Sequence, residues 1–204
     1  EIPGHNYFLF GPYLIRIDVH ESLCKKLLED GKKLKTSHSP FLAGKIKKQL
    51  AYYTNFKYYQ KEFQPYINSW INGWYRQLGC QPKVKGKLTS LWINFQKAGE
   101  HNPIHMHTNA DLSFALYLNA PIEMINEKDE SQGLDPGRIS FIYGEDRVHT
   151  ISERPFTPKK NTMFMFPANL RHYVSSFKSN VERISVAGNI KFEKKNDIVM
   201  GYAN

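Results

Sequence analysis

Residues 162–177 read TMFMFPANLRHYVSSF, and this stretch decides the fold class of the chain. It contains two short apolar runs, Thr162–Pro167 and Leu170–Phe177, joined by a turn-forming Pro-Ala-Asn sequence. Short runs of this kind, bounded by turn residues, are typical of β-strands. The stretch therefore predicts two consecutive strands with a tight connection between them.

Similar extended segments occur on both sides of this stretch. They are Lys87–Gln96, Leu112–Asn119, Arg138–Tyr143, Arg147–Ser152 and Glu182–Phe192. Many short strands separated by turn residues indicate a β-sandwich or barrel. No helix-length pattern alternates with these strands, so a parallel α/β sheet is disfavoured.

The first third of the chain is predicted to be helical. One helix is expected from Glu21 to Leu34. A second is marked by an apolar stripe at helical spacing, with Pro65 near its start and Gly79 after its end. The stripe consists of Phe63, Tyr66, Ile67, Trp70, Ile71, Trp74 and Leu78. We expect a single domain over residues 1–204, in which a helical support (1–80) packs on a β-core (83–192).

The composition limits the classes of partner. The 204 residues carry a net charge of +9, which attracts anions such as nucleic acid, acidic peptides or phosphorylated metabolites. Nucleic-acid binding stays possible, but no basic run is interleaved with aromatic residues to support it. No apolar run reaches the ~20 residues needed to span a bilayer, so no membrane association is expected. Cys24 and Cys80 are far apart and form no CxxC motif, which fits a reducing, cytoplasmic compartment.

Three of the histidines form a candidate metal site. His105 and His107 are two residues apart, so in an extended chain both point to the same face. His172 lies in a later predicted strand and could complete the site. Imidazole suits iron, zinc, copper and nickel alike, and fewer than four protein ligands leave positions open for catalysis. The alternative is that these histidines are only surface or hydrogen-bonded side chains.

Two other strands carry polar residues that suit a carboxylate ligand. In Leu112–Asn119, the side chains of Ser113, Ala115, Tyr117 and Asn119 share one face, and in the last strand Arg183 and Ser185 share one face. Arginine binds carboxylates through two parallel hydrogen bonds. A buried arginine beside a tyrosine hydroxyl would suit a dicarboxylate. The alternative is a surface ion pair of Arg183 with a nearby glutamate.

The order and spacing of six sequence blocks resemble those of the 2-oxoglutarate/Fe(II)-dependent oxygenases, especially prolyl-hydroxylase-like oxygenases of bacteria and tailed phages. The blocks begin at Leu91 (LWINF), His105 (HMH), Leu112 (LSFALYLN), Gly137 (GRISF), Met163 (MFMFPANLRH) and Glu182 (ERISVAGN). They span Leu91–Ile190. The resemblance implies a mainly β (α+β) fold, a double-stranded β-helix (jelly roll) with N-terminal helices packed on one sheet. It also implies Fe(II), 2-oxoglutarate and O₂ as cofactors.

The resemblance assigns roles to particular residues. It implies that His105 and His172 bind Fe(II) and that Arg183 pairs with the distal carboxylate of 2-oxoglutarate. Tyr117 and Ser185 would hydrogen-bond the co-substrate, and Asn94 would lie near it.

The chain departs from the family pattern at one position. The usual site is His-x-Asp/Glu…His, and His107 occupies the carboxylate position. We favour His107 as the third ligand over Asp111, which is the nearest carboxylate. A third possibility is that His107 does not ligate the metal and leaves its position vacant.

The implied activity is hydroxylation of a protein side chain or a small molecule, with release of succinate and CO₂, in the cytoplasm of a bacterial or phage-infected cell. Two other functions stay open. One is a cupin-like dioxygenase whose metal is held by three histidines without 2-oxoglutarate. The other is a non-catalytic jelly-roll binding module. The sequence identifies neither the substrate nor the oligomeric state.

Overall fold

The computed structural model describes residues 11–39, 43–127 and 136–194. The secondary-structure elements of this part of the chain are, in order, β1 (Ile15–Asp18), α1 (Glu21–Lys33), β2 (Lys48–Ala51), α2 (Phe56–Gln77), β3 (Val84–Gln96), β4 (Asn102–His105), β5 (Leu112–Asn119), α3 (Ile122–Ile125), β6 (Ile139–Ile142), β7 (Glu153–Phe156), β8 (Thr162–Pro167), β9 (Arg171–Val174) and β10 (Arg183–Lys194).

The strands form two antiparallel sheets. The large sheet has the order β1-β8-β5-β10-β3-β2, and the small sheet has the order β4-β9-β6-β7. From β4 to β10 the chain crosses repeatedly between the sheets, as it does in a jelly roll. The apolar residues between the sheets are Tyr117, Ile139, Phe141, Phe164, Phe166, Leu170 and Val174. The predicted jelly-roll fold is confirmed.

The outer face of the large sheet is covered by α1 and α2. In β3, Leu91, Ile93 and Phe95 face the helices and belong to a second apolar cluster. The alternate residues Trp92 and Asn94 line a cavity on the inner face. Because both faces are covered, this half of β3 is buried throughout and lacks a clear polar alternation. The prediction of helices packed on one sheet is correct.

Helix α2 lies very close to the start of β3. A Cβ atom at Gly86 would lie 2.4 Å from Ile67 Cγ2, so only glycine permits this approach. The helix begins at Phe56, and Pro65 lies inside it rather than near its start. The missing backbone hydrogen bond at Pro65 is tolerated because tertiary packing of the apolar face supplies most of the stability of such a helix.

The first third of the chain contributes strands as well as helices. Ile15 in β1 pairs with Met165 in β8, and Leu50 in β2 pairs with Ile93 in β3. Both strands are four residues long, too short for alternation of polar and apolar residues to reveal them. The expectation of a purely helical support in residues 1–80 was therefore incomplete.

One predicted strand is wrong. Residues 147–152 do not form a strand. Strand β7 begins at Glu153, directly after the predicted segment ends. The Thr150 side chain accepts a hydrogen bond from Arg147 N and donates to Arg147 O, which holds a turn. The segment between β5 and β6 contains the short helix α3, and residues 128–135 lie outside the described part of the chain. Among the described helices, none is both long and apolar enough to cross a membrane.

Candidate active site

The three histidines converge where the small sheet meets the large one. His105 ends β4 and lies directly opposite His172 of β9, with ring centroids 4.2 Å apart. His107 follows β4, and its backbone N–H donates to Ala168 O just before β9. The ring of His107 is 5.4 Å from His105 and 5.3 Å from His172. The candidate ligand atoms of the three side chains all lie within 4.8 Å of one another.

Backbone carbonyls fix the orientation of two of these rings. His105 Nδ1 lies 2.7 Å from Pro103 O, and His172 Nδ1 lies 2.9 Å from Leu170 O. A carbonyl oxygen only accepts hydrogen bonds, so each Nδ1 carries the hydrogen of the neutral ring. The lone pair is then on Nε2, which is the arrangement found in histidines that ligate metals.

Burial keeps the imidazoles neutral. It lowers the pKa of His107 to about 4 and that of His172 to about 3, and the neighbouring His105 acts in the same direction on both. Burial also lowers the pKa of His105. Neutral imidazole is the form that binds metal ions, so a proton does not compete for these sites near pH 7.

The large sheet forms the opposite wall with a row of polar residues. Ser185 of β10 pairs with Asn94 of β3 on one side and with Tyr117 of β5 on the other. The Asn94 amide donates to Ser185 Oγ at 3.3 Å, and Gln49 of β2 donates to Asn94 Oδ1 at 3.0 Å. Since Ser185 Oγ accepts from Asn94, its hydroxyl hydrogen is available to another acceptor.

Arg183 lies at the inner end of the same cavity. Its side chain is only 2% exposed, and it lines the cavity together with the three histidines. Four residues further along β10, Ala187 pairs with Trp92, whose ring is 6.0 Å from that of His107. Four residues of a strand span about 13 Å. The backbone of Arg183 therefore lies about that distance further into the barrel than the level of the His107 ring.

Among the described residues, the immediate surroundings of Arg183 contain polar groups but no acidic partner. The guanidinium lies over the Tyr117 ring, 4.8 Å from its centroid, and donates to Gln96 Oε1. Its Nε is buried without a hydrogen-bond partner among the described residues. No aspartate or glutamate lines the described part of the cavity, so the positive charge of Arg183 is not balanced there.

The Tyr117 hydroxyl is another buried polar group in this wall. It has no hydrogen-bond partner in the described part of the chain, and the residue is fully buried. Burial raises the pKa of Tyr117, and the nearby Arg183 charge partly offsets that shift. A buried hydroxyl without a partner is costly, so such groups often contact a ligand.

Asp111 lies outside the histidine cluster. Its carboxylate accepts a hydrogen bond from Phe192 N at 2.7 Å and is 3.5 Å from Lys191 Nζ. These contacts attach the loop before β5 to the far end of β10.

The structure also brings two residues to the site that the sequence did not suggest. Gln49 lines the cavity, and its Oε1 is buried without a partner among the described residues. Gln96 contacts Arg183. The sequence did contain an indication of Gln96, because it is two residues from Asn94 in β3 and its side chain therefore points to the same face. Gln49 had no such signal, because its short strand was not predicted.

Three neutral imidazoles on one wall of the cavity and a buried arginine at its inner end are a set of side chains that could hold a metal ion and an anionic ligand. Comparison with protein families identifies the class of protein. Residues 90–189 match the family described as "Putative 2OG-Fe(II) oxygenase". The chain belongs to this family of Fe(II)- and 2-oxoglutarate-dependent oxygenases.

Solved structures agree with the fold. A 2OG-Fe(II) oxygenase family oxidoreductase from Burkholderia pseudomallei is 10% identical, with a TM-score of 0.56 over 87% of this chain and 84% of that one. The viral collagen prolyl hydroxylase of Paramecium Bursaria Chlorella virus-1, solved as a 2OG complex, is 18% identical, with a TM-score of 0.54 over 88% and 96%. A Pseudomonas putida prolyl-4-hydroxylase is 15% identical, with a TM-score of 0.52 over 90% and 93%. No protein of curated function matches the sequence significantly.

Proposed function

We propose that His105, His107 and His172 bind the Fe(II) ion of this oxygenase and that Arg183 binds the distal carboxylate of 2-oxoglutarate. One observation carries the proposal. Three neutral imidazoles and a buried guanidinium line the same cavity, and the guanidinium has no acidic partner among the residues that the structure describes. We further propose that residues 1–204 act as one oxygenase domain, since strands β1 and β2 complete the sheet that forms a wall of the site.

The side chains fit the metal. The separation of the candidate ligand atoms, at most 4.8 Å, is of the size that a shared ion requires after small rotamer adjustments. The carbonyl contacts of His105 and His172 leave Nε2 free to ligate. Three protein ligands leave further coordination positions open, as oxygenase chemistry requires.

We favour His107 over Asp111 as the third ligand. The imidazole of His107 lies in the cluster, whereas the Asp111 carboxylate is engaged by Phe192 N and Lys191. Moving Asp111 inward would break both contacts and would also disturb the end of β10. The possibility that His107 leaves its position vacant is tested below by the Fe(II) affinity of a His107→Ala variant.

The side chains of the opposite wall suit 2-oxoglutarate. Arg183 offers charged donors, including the unpartnered Nε, to the distal carboxylate. Tyr117 adds a hydroxyl donor beside it, and Ser185 has a hydroxyl hydrogen available to the body of the co-substrate. Asn94 orients Ser185 and lies next to the same space.

When bound, Fe(II) and 2-oxoglutarate supply the oxidising chemistry with O₂, which converts 2-oxoglutarate to succinate and CO₂. The protein holds the metal through neutral ligands and anchors one end of the co-substrate by charge. The apolar residues Phe141, Phe166 and Val174 limit the access of water to the cavity. We propose a cytoplasmic enzyme that hydroxylates a peptide side chain, as a prolyl hydroxylase does, or a small molecule.

A cupin-like dioxygenase without 2-oxoglutarate is the second candidate, because the candidate metal-binding cluster found among the described residues contains three histidines and no carboxylate. That function has no need for a buried arginine without an acidic partner. We therefore rank it below the 2-oxoglutarate enzyme.

The test is an anaerobic titration. Fe(II) and 2-oxoglutarate together should give a weak visible charge-transfer band in the wild-type protein. His172→Ala should abolish the band, and Arg183→Ala should raise the 2-oxoglutarate concentration required. His149→Ala and Arg147→Ala are matched controls on exposed residues and should leave it unchanged.

Metal affinity and succinate release distinguish the alternatives. His107→Ala should weaken Fe(II) binding if His107 ligates, and an unchanged affinity would indicate a vacant position. Oxygen consumption without succinate would favour the cupin-like reaction. A wild-type protein that binds no metal would contradict both enzyme functions.

A further inference from the structure

Gln96 is the direct hydrogen-bond partner of Arg183 and is completely buried. Its amide oxygen accepts a hydrogen bond from Arg183 Nη1, and its amide nitrogen donates to Glu100 O at 2.7 Å and to Ser175 O at 3.2 Å. Both of those partners are backbone carbonyls, which only accept. The amide is therefore fixed in one orientation, with its oxygen directed at the guanidinium.

The carbonyl partners of Gln96 belong to two separate segments. Glu100 is in the turn after β3, where its carboxylate accepts from Lys97 N and Lys47 N. Ser175 directly follows β9 and is three residues after His172. Gln96 thus connects the arginine to the turn after β3 and to the strand that carries a candidate metal ligand. These contacts hold its amide in place before any ligand binds.

We propose that Gln96 is a positioning residue that aims Arg183 at the distal carboxylate of 2-oxoglutarate while leaving its charge unbalanced. This inference rests on the proposed function of Arg183. A neutral amide fixes one arm of the guanidinium but carries no charge that would compete with the incoming carboxylate. A glutamate at this position would pair with Arg183 in the empty protein, and the co-substrate would have to displace it.

The test compares two ligands that share the 2-oxo acid group and differ in the chain that carries the distal carboxylate. Binding of 2-oxoglutarate and of pyruvate, a 2-oxo acid that lacks the distal CH₂–COO⁻ unit, is titrated anaerobically with Fe(II) through the charge-transfer band. The quantity of interest is the ratio of the two dissociation constants. Only the folded, metal-bound protein gives the charge-transfer band, so partial unfolding of a variant lowers the signal with both ligands and leaves the ratio of dissociation constants unchanged.

Gln96→Met removes the acceptor and should reduce the preference for 2-oxoglutarate over pyruvate by about tenfold, the size expected for one hydrogen bond to a charged group. Gln96→Glu should reduce it further. If one variant does not fold, the other still decides the question. Gln60→Met on helix α2 is the matched control: it loses a similar hydrogen bond, from the side-chain amide to Leu88 O of β3, and should leave the ratio unchanged.

A double-mutant cycle separates positioning from general damage. In an Arg183→Met background, Gln96→Met should have no further effect on the ratio, because Gln96 acts only through Arg183. An equal effect in both backgrounds, or an unchanged ratio in both single variants, would overturn the inference while the proposed function stands. A wild-type protein that binds pyruvate as tightly as 2-oxoglutarate would overturn the role proposed for Arg183 and this inference with it.

Discussion

Replacing Tyr117 with phenylalanine should stabilise the empty protein and weaken co-substrate binding. The hydroxyl of Tyr117 is fully buried and has no hydrogen-bond partner among the described residues. A buried polar group without a partner costs about 1 kcal/mol or more. Phenylalanine removes that cost and keeps the ring that lies under the Arg183 guanidinium.

The expected gain in the free energy of unfolding is about 1 kcal/mol, which corresponds to a rise in Tm of roughly 2–4 °C for a chain of this size. Loss of a hydrogen bond to the co-substrate carboxylate should weaken 2-oxoglutarate binding by about tenfold. The two effects have opposite signs, so they cannot both follow from general damage to the fold.

The assay is thermal unfolding of the metal-free protein, followed by anaerobic titration with Fe(II) and 2-oxoglutarate. Tyr59→Phe is the matched control, because the Tyr59 hydroxyl is also buried but donates to Asp30 Oδ2 at 2.7 Å. This control should lower the Tm and leave 2-oxoglutarate binding unchanged. A lower Tm of the metal-free Tyr117→Phe variant, or an unaltered titration, would refute the roles given to this hydroxyl.

Three other properties can be tested independently. Burial lowers the pKa of His107 to about 4 and that of His172 to about 3. Between about pH 6.5, the ordinary pKa of histidine, and about pH 4, both side chains are therefore protonated in the unfolded chain but not in the folded protein. In urea unfolding of the metal-free protein, the free energy of unfolding should therefore fall by an amount on the order of 2 kcal/mol per histidine between pH 7 and pH 4.5. His172→Ala should make this decrease smaller, and an identical decrease in the variant would contradict a buried, neutral His172. Alkylation at pH 8 followed by mass spectrometry should modify the exposed Cys80, whereas Cys24, whose pKa burial raises to about 11, should react only after unfolding. Gly188→Ala should destabilise the protein by about 1–3 kcal/mol in the same urea assay, because the new Cβ would lie 2.6 Å from the Phe114 ring and 3.0 Å from Ser90 O; an unchanged free energy of unfolding would show that the sheet adjusts freely.

The sequence predicted the strands of the site well, because their apolar pattern is strong. The bounds of β5 and β8 agree with the predicted segments, and the common face of His105 and His107 follows from their spacing. The pairing of β4 with β9, which brings His172 opposite His105, could not be predicted, because sheet register depends on contacts between distant segments.

Other features escaped prediction for local reasons. Strand β2 has four residues, so it shows too little alternation to be recognised, and Gln49 was missed with it. The β-branched residues Val148 and Ile151 made residues 147–152 resemble a strand in composition. Both side chains are exposed, however, and the Thr150 hydroxyl stabilises a turn there through its hydrogen bond to Arg147 O. Gln96 lies on the same face of β3 as Asn94, but its role was missed because the function of a neutral amide depends on partners, here Arg183, that only the fold brings to it.

His107 and Gln96 are two neutral groups at opposite ends of the cavity. A carboxylate ligand in a His-x-Asp/Glu…His site offsets part of the metal's positive charge, and a neutral His107 in the ligand role we propose would not. At the other end of the cavity Arg183 is positive and its partner Gln96 is neutral. A dianion such as 2-oxoglutarate offsets charge at both ends, whereas a monocarboxylate offsets it at only one. A cavity with these two neutral groups should therefore discriminate strongly in favour of dicarboxylates, and a carboxylate introduced at position 96 should reduce that discrimination.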